Sequence, residues 1–201
     1  LAQHYPAELF DVYVIPNNCT DDTEGAARRA GAQILPCLGP VRNKGDALHC
    51  AFAALKDSGY DAYCVFDADN LVDPGFFQAA NDALCAGARI GQGFRDSKNS
   101  RESWVAGGMS VFYWFMSRFF NRGRAALGMS AILNGTGVLL SAGLIRDMGW
   151  NTCTLTEDLE LTAQCGLRGE KIAYLENAVT YDEQPVGFWV SFEQRRRWFR
   201  G

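Results

Sequence analysis

Histidine is nearly absent from this chain: His4 and His49 are its only two in 201 residues. Neither has a second soft ligand at zinc spacing, and the seven cysteines form no Cys-x-x-Cys pair, which excludes a His/Cys zinc site. Cys19, Cys37, Cys50, Cys64, Cys85, Cys153 and Cys165 make an odd count among apolar or small neighbours, which predicts buried free thiols in a reducing compartment. A basic excess is also missing. With 19 basic against 23 acidic side chains, a net charge of −4, the chain is no general nucleic-acid binder. Long hydrophobic runs are lacking too. The longest apolar stretch, Val105 to Phe120, is broken by Gly107, Gly108 and Arg118 and falls short of the roughly 20 residues that span a bilayer. It predicts a core helix, with a helix lying on a membrane surface as the minority reading. No repeat, low-complexity tract or signal-peptide pattern is present.

What remains is ordinary globular composition: 48% hydrophobic, 12% aromatic and 21% charged residues, enough to bury one core and too apolar for disorder. The reading is one domain over 1–201. Leu1 in place of an initiator Met, and an end in a charged run, predict a piece of a longer protein. Elements alternate. Asp11 to Ile15 reads as a strand, followed by Thr20 to Thr23 as a cap and a helix to Ala30 before Gly31. A second strand spans 33–38, and a helix spans 46–56 with Leu48, Ala51, Phe52 and Leu55 on one face. Ala62 to Phe66 is an unbroken apolar run, as for a central strand buried on both faces. Pro74 opens a helix that runs to Cys85. Such an order predicts an α/β fold, with a mixed, mostly parallel sheet covered by helices on both faces and a ligand crevice at the strand ends.

Three constellations carry chemistry. Asp67-Ala68-Asp69 follows the apolar strand directly, and two carboxylates around a small residue suit a hard cation such as Mg²⁺ or Mn²⁺. Turn or cap duty is the competing reading. Thr156-Glu157-Asp158 is ordinary helix-start chemistry, yet a carboxylate within reach of a sugar hydroxyl serves as a general base. Gln194-Arg195-Arg196-Arg197-Trp198 reads either as a solvated basic helix end or as guanidinium groups for a diphosphate beside an indole platform for a sugar. Arg42-Asn43-Lys44-Gly45 puts a cation next to flexible backbone.

In order and spacing these runs resemble the catalytic domain of family 2 glycosyltransferases, the relatives of bacterial cellulose, chitin and hyaluronan synthases. Asp67 to Asp69 matches that family's Asp-x-Asp, Thr156 to Asp158 its Thr-Glu-Asp, and Gln194 to Trp198 its Gln-x-x-Arg-Trp. Asn18 to Thr23, Lys44 to Leu48 and Gly135-Thr136-Gly137 also fall where members carry similar runs. The resemblance implies a GT-A type fold and inverting transfer from a nucleotide sugar, usually a UDP-sugar, to a growing polysaccharide or glycolipid. By that likeness Asp69 and Asp67 would hold Mg²⁺ or Mn²⁺ at the diphosphate, and Asp158 would be the base. Asn17, Lys44 and Asp67 would bind the donor. Gly135, Glu157, Gln194, Arg197 and Trp198 would line the acceptor and diphosphate region. The resemblance also implies an N-terminal strand and transmembrane helices missing here, and a parent protein at the cytoplasmic face of the cell membrane. Two departures bear on function: Asn17 stands where relatives place an Asp, and at most ten residues precede the first strand.

Two other readings compete. In a phosphatase of the haloacid-dehalogenase type Asp67 would be the nucleophile and Asp69 the acid, but that pattern wants Thr or Val where Leu71 stands. An inactive relative that binds nucleotide or glycan would tolerate Asn17, but has no use for carboxylates at 67, 69 and 158.

Overall fold

A computed structural model describes residues 2–37 and 39–200. Along the chain β1 (Tyr13–Val14), α1 (Thr23–Arg29) and β2 (Gln33–Ile34) precede α2 (Lys44–Leu55), β3 (Ala62–Val65), β4 (Leu71–Val72) and α3 (Phe76–Cys85). Then follow β5 (Ile90–Ser97), α4 (Trp104–Phe115), a π-helical stretch (Met116–Asn121), α5 (Arg122–Ala126), β6 (Val138–Ser141) and α6 (Ala142–Met148). The last elements are α7 (Glu157–Leu167), β7 (Ile172–Asp182) and α8 (Phe188–Trp198).

Five strands form one mixed sheet in the order β3-β6-β5-β7-β4, while β1 and β2 pair as a separate parallel ribbon. The expected parallel majority is absent from the large sheet. Only β5 and β7 run parallel there, and β3–β6, β5–β6 and β4–β7 are antiparallel. The reason is the helical excursion α4 to α5, which returns the chain so that β6 enters between β3 and β5 from the opposite end. At the edge of that sheet β3 pairs with β6 alone among the described residues, and of its four residues Val65 alone is buried. The apolar run marked a strand correctly but overstated its cover.

Alternation along β6 sends Val138 and Leu140 to one face of the sheet and Leu139 to the other. The first face packs with Leu48 and Phe52 of α2, Leu144 of α6 and Leu161 of α7; the second packs on Phe76 and Ala80 of α3. Helices therefore cover both faces. Gly93 lies where β5 and β7 crowd together: a Cβ there would fall 2.4 Å from the Ala178 carbonyl oxygen, at the register shift between the two strands.

Helix starts are set by side chains other than those read from the sequence. Asn43 caps α2 by accepting from the Asp46 N–H at 2.9 Å, so the helix begins two residues earlier than its apolar face implied. Asp22 is the N-cap residue of α1, and Asp21 accepts from the Thr23 N–H at 3.2 Å, whereas Thr20 was expected to cap. Thr156 precedes α7 without a side-chain cap, against expectation, while Glu160 ties the preceding loop to the helix by accepting from the Cys153 and Thr154 N–H groups, both at 2.8 Å. The second strand ends at Ile34, and Leu38 lies outside the described residues.

The apolar stretch splits in two. Val105, Ala106, Met109 and Tyr113 are buried, but Trp104, Val111, Phe112, Phe115 and Phe119 are exposed, so this is a half-covered helix rather than a core helix. The π-helical stretch turns Asn121 inward, where its amide accepts from the Ile132 N–H at 2.9 Å and donates to the Ile132 carbonyl at 3.0 Å. Trp104 stacks on Phe188 of α8, which continues the aromatic surface through the exposed Trp189 and Phe192. Among the described residues no helix is long and apolar enough to cross a membrane. All seven cysteines are free; Cys165 is buried, but Cys19, Cys85 and Cys153 are exposed, against the expectation of buried thiols.

Candidate active site

Lys44 is the hub of the site. As the first residue of α2, it extends its ammonium to donate to Asp67 Oδ1 and, at 2.6 Å, to the Gly135 carbonyl oxygen. Glu157 Oε1 lies 3.7 Å from the same Nζ. Residues 44, 67, 135 and 157 thus converge from α2, the loop after β3, the turn before β6 and the start of α7. None of the local spacings in the sequence shows this convergence.

Asp158 adjoins the cluster. A Cβ at Gly135 would stand 3.5 Å from Asp158 Oδ2, and the φ of +87° at Gly135 is one that glycine adopts freely. The other carboxylate oxygen accepts from the Leu159 N–H at 2.9 Å, fixing the side chain at the helix start. Burial pushes the Asp158 carboxyl above its ordinary range, opposed by that N–H and by Lys44 and Arg95. Glu157 is pushed up by burial in the same way, with Lys44 as the main opposing charge.

Asp69 borders an open cavity of about 770 Å³ together with Gln194 and Arg197 of α8, the carboxylates Glu102, Glu183 and Glu193, and the apolar Pro185, Val186 and Val190. The Asp-x-Asp and Gln-x-x-Arg-Trp runs, 125 positions apart between Asp69 and Gln194, therefore share one cavity. Its Gln194 Oε1 is enclosed without a partner among the described residues. Trp198, Arg195 and Arg196 are absent from that lining; Arg195 reaches Met109 Sδ at 2.7 Å, and Arg196 pairs with the cavity's Glu193 at 2.5 Å. Asn17 is exposed, and its side chain makes no hydrogen bond to the Lys44 cluster among the described residues. Asn18 beside it holds a φ of +52°, a conformation Asn tolerates.

Do these groups suit a divalent cation? The donors at hand are carboxylate and carbonyl oxygens, hard ligands of the kind Mg²⁺ and Mn²⁺ take. Burial raises the Asp69 carboxyl, and the nearby Asp182 and Asp67 raise it further against the pull of Lys98. A local negative excess of that sort favours a cation. Among the described residues no three or more His, Cys, Asp or Glu side chains gather at metal-binding spacing. The protein therefore offers one or two carboxylates, which fits a cation whose remaining positions are filled by water and substrate phosphates.

A second layer was invisible in the sequence. Arg95 of β5 donates through Nε to Asp182 Oδ2 at 2.9 Å and through Nη1 to the Asn134 carbonyl at 2.9 Å, with its guanidinium 3.8 Å from the Tyr113 ring centroid. Asp182 also accepts from Gln184 Nε2 at 3.0 Å and from Asn70 Nδ2 at 2.9 Å. Buried Gln92 pins the same turn, accepting from the Asn134 N–H at 2.8 Å and donating to the Thr136 carbonyl at 2.9 Å. The sequence shows only that Arg95 follows Phe94 in β5; its burial, which makes the guanidinium demand a partner, is a property of the fold. Which carboxylate answers it is decided by the parallel pairing of β5 with β7.

A family model described as glycosyltransferase like family 2 matches residues 1–201. The chain is 28% identical over 214 residues to the probable glycosyltransferase YdaM of Bacillus subtilis (strain 168), covering 98% of this chain and 49% of that protein. It is 26% identical over 210 residues to the beta-monoglucosyldiacylglycerol synthase of Synechocystis sp. (strain ATCC 27184 / PCC 6803 / Kazusa), covering 98% and 42% respectively. The chain thus spans about half the length, or less, of these curated relatives. Among solved structures, the mannosyltransferase PcManGT of Pyrobaculum calidifontis, in complex with GDP-Man and Mn²⁺, matches with a TM-score of 0.74 at 18% identity. That match covers 99% of this chain and 55% of the other, a likeness of fold.

Proposed function

Because the chain belongs to glycosyltransferase like family 2, with the GT-A architecture expected from its sequence, we propose that it transfers a hexosyl group from a nucleotide sugar to a glycan or glycolipid hydroxyl, with inversion. The observation that carries this reading is the convergence on Lys44. One ammonium joins Asp67, Gly135 and Glu157, Asp158 lies against Gly135, and Asp69 opens on the cavity that holds Gln194 and Arg197.

Asp158 removes the proton of the attacking acceptor hydroxyl. Its carboxyl, raised by burial against the opposing pull of the Leu159 N–H, Lys44 and Arg95, is a stronger base than an exposed aspartate. Asp69 and Asp67 would hold Mg²⁺ or Mn²⁺, which would supply positive charge to neutralise the leaving nucleoside diphosphate. Lys44 positions Asp67 and the Gly135 turn and adds a positive charge beside the phosphates. Arg197 offers a guanidinium to the diphosphate, and Gln194 presents its amide to the acceptor. Asn17 contributes to the nucleoside pocket and Trp198 supports the acceptor channel. The donor is a UDP-sugar in this reading, and the 201 residues act as one catalytic domain. The exposed aromatic surface from Phe112 to Phe119 and across Trp104, Phe188 and Trp189 rests on the cytoplasmic face of a membrane, where a lipid-linked acceptor presents itself.

Release of nucleoside diphosphate by the full-length protein from a panel of UDP- and GDP-sugars, with Mn²⁺ or Mg²⁺, tests the reading. Turnover of a UDP-sugar that disappears in Asp158→Asn is expected. Metal-dependent nucleotide-sugar binding without any turnover would mean a binding scaffold instead, and an Asp158→Asn variant as fast as wild type would remove the assigned base.

A further inference from the structure

Asn70 follows the Asp-x-Asp run and belongs to none of the motifs, yet its side chain joins Asp69, Asp182 and Thr136. Its amide nitrogen donates to Asp182 Oδ1 at 2.9 Å and reaches Asp69 Oδ1 at 3.2 Å. Its amide oxygen accepts from the Thr136 hydroxyl, and that same hydroxyl accepts from the Asp67 N–H at 3.2 Å. The Asn70 N–H in turn donates to the Asp67 carbonyl at 3.1 Å, closing the turn that carries both carboxylates. Thr136 is fully buried and sits between Gly135, where an added Cβ would meet Asp158, and Gly137, whose carbonyl accepts from the Gly93 N–H at 2.9 Å.

We propose that Asn70 is a positioning residue: through Asp182 and Thr136 it locks the Asp67–Asp69 loop and the Gly135–Gly137 turn into a single rigid unit, setting the distance between the donor-side carboxylates and the base Asp158. The polarity of the amide is what the position requires. Its nitrogen faces two carboxylates, Asp69 and Asp182, and its oxygen faces a hydroxyl donor, so neither an aspartate nor an aliphatic side chain satisfies both ends. The anchor behind it is immobile, because Asp182 is held by Arg95 and Gln184 and is only 3% exposed. Asn70 therefore works from a fixed point, the condition under which a supporting hydrogen bond orients a ligand-binding carboxylate.

This proposal rests on the reading of Asp69 as a metal- and diphosphate-side group. Its test measures Mn²⁺ binding by titration calorimetry in the presence of UDP, alongside steady-state kinetics, for wild type, Asn70→Ala, Asn70→Asp and the near-isosteric Thr136→Val. Asn70→Asp, which keeps an acceptor for Thr136 but turns a third carboxylate on Asp69 and Asp182, is the most informative. Expected for Asn70→Ala and Asn70→Asp is a tenfold or greater weakening of Mn²⁺ binding and a fall in kcat, with KM for the acceptor within twofold of wild type. Thr136→Val, whose shape protects the fold, is expected to show the same signature at a smaller size. Folded variants that lose thermal stability but keep Mn²⁺ affinity and kcat within twofold would overturn the proposal, since a purely structural residue behaves that way. If wild type itself neither binds Mn²⁺ with UDP nor turns over a nucleotide sugar, the function assigned above fails rather than the role of Asn70.

Discussion

Consider the replacement of Asp182 by leucine. Its carboxylate and the Arg95 guanidinium form an ion pair whose side chains are 5% and 11% exposed, so both charges are largely out of water. Removing the carboxylate takes the acceptor from Nε and Nη2 of Arg95. The guanidinium keeps only the Asn134 carbonyl and the face of Tyr113, neither of which carries a compensating negative charge. Breaking a buried pair from one side costs about 3–5 kcal/mol, a large share of the roughly 5–15 kcal/mol that holds a domain folded. At about 2–4 °C per kcal/mol for a domain of this size, Tm should fall by roughly 6–20 °C. Arg95→Met should cost a similar amount, because Asp182 is then buried with only Gln184 and Asn70 as donors. The double variant Arg95→Met/Asp182→Leu removes both charges, leaves no unpaired ion, and should recover about 2 kcal/mol or more relative to the sum of the singles. Urea unfolding followed by circular dichroism gives all four free energies. The reasoning is refuted if either single variant loses less than about 1 kcal/mol or if the double variant loses the full sum.

Further outcomes concern the site itself. Asp158→Asn should lower kcat by about 10²–10⁴-fold yet raise thermal stability at pH 7, which a melt beside a UDP-release assay checks. The sign follows from burial: a carboxyl raised in the folded state binds more protons than in the unfolded chain, so its ionisation opposes folding as pH climbs past the ordinary aspartate range. For the same reason the acid limb of kcat/KM should lie above that range, and a limb at ordinary aspartate values would argue against Asp158 as the base. Lys44→Met removes a charged donor from Asp67 and Gly135 and should raise KM for the donor or lower kcat by about 10- to 100-fold, the scale of a lost charge-assisted hydrogen bond. Gly135→Ala places a Cβ on a positive-φ residue beside Asp158, at a cost of about 1–2 kcal/mol; activity should fall more than stability does. Chelation should abolish turnover, and added Mn²⁺ or Mg²⁺ should restore it.

Much of the candidate site was legible from local pattern. Asp67 and Asp69 follow the end of β3 and Asp158 stands in the first turn of α7, in runs short enough to single out without knowing the fold. Helix positions were legible for the same reason, because the apolar face of α2 and the glycines after α1 and α3 are local features. Asn70, Arg95 and Asp182 were not legible, since each draws its role from a partner on another strand. Asn17 and Trp198 illustrate the converse: motif position placed them in the site, but the described side chains leave Asn17 exposed and Trp198 off the cavity wall.

The sequence alone thus determined the chemistry available, meaning which carboxylates, amides and cations stand at strand and helix ends and in which order. The tertiary structure decided which of them meet. Inserting β6 antiparallel between β3 and β5 brings the Gly135 turn against Lys44 and Asp67, and pairing β5 parallel to β7 sets Arg95 opposite Thr180, within reach of Asp182 two residues further along that strand. Those pairings are fixed by burial of two opposite sheet faces at once, a condition that no window of neighbouring residues contains.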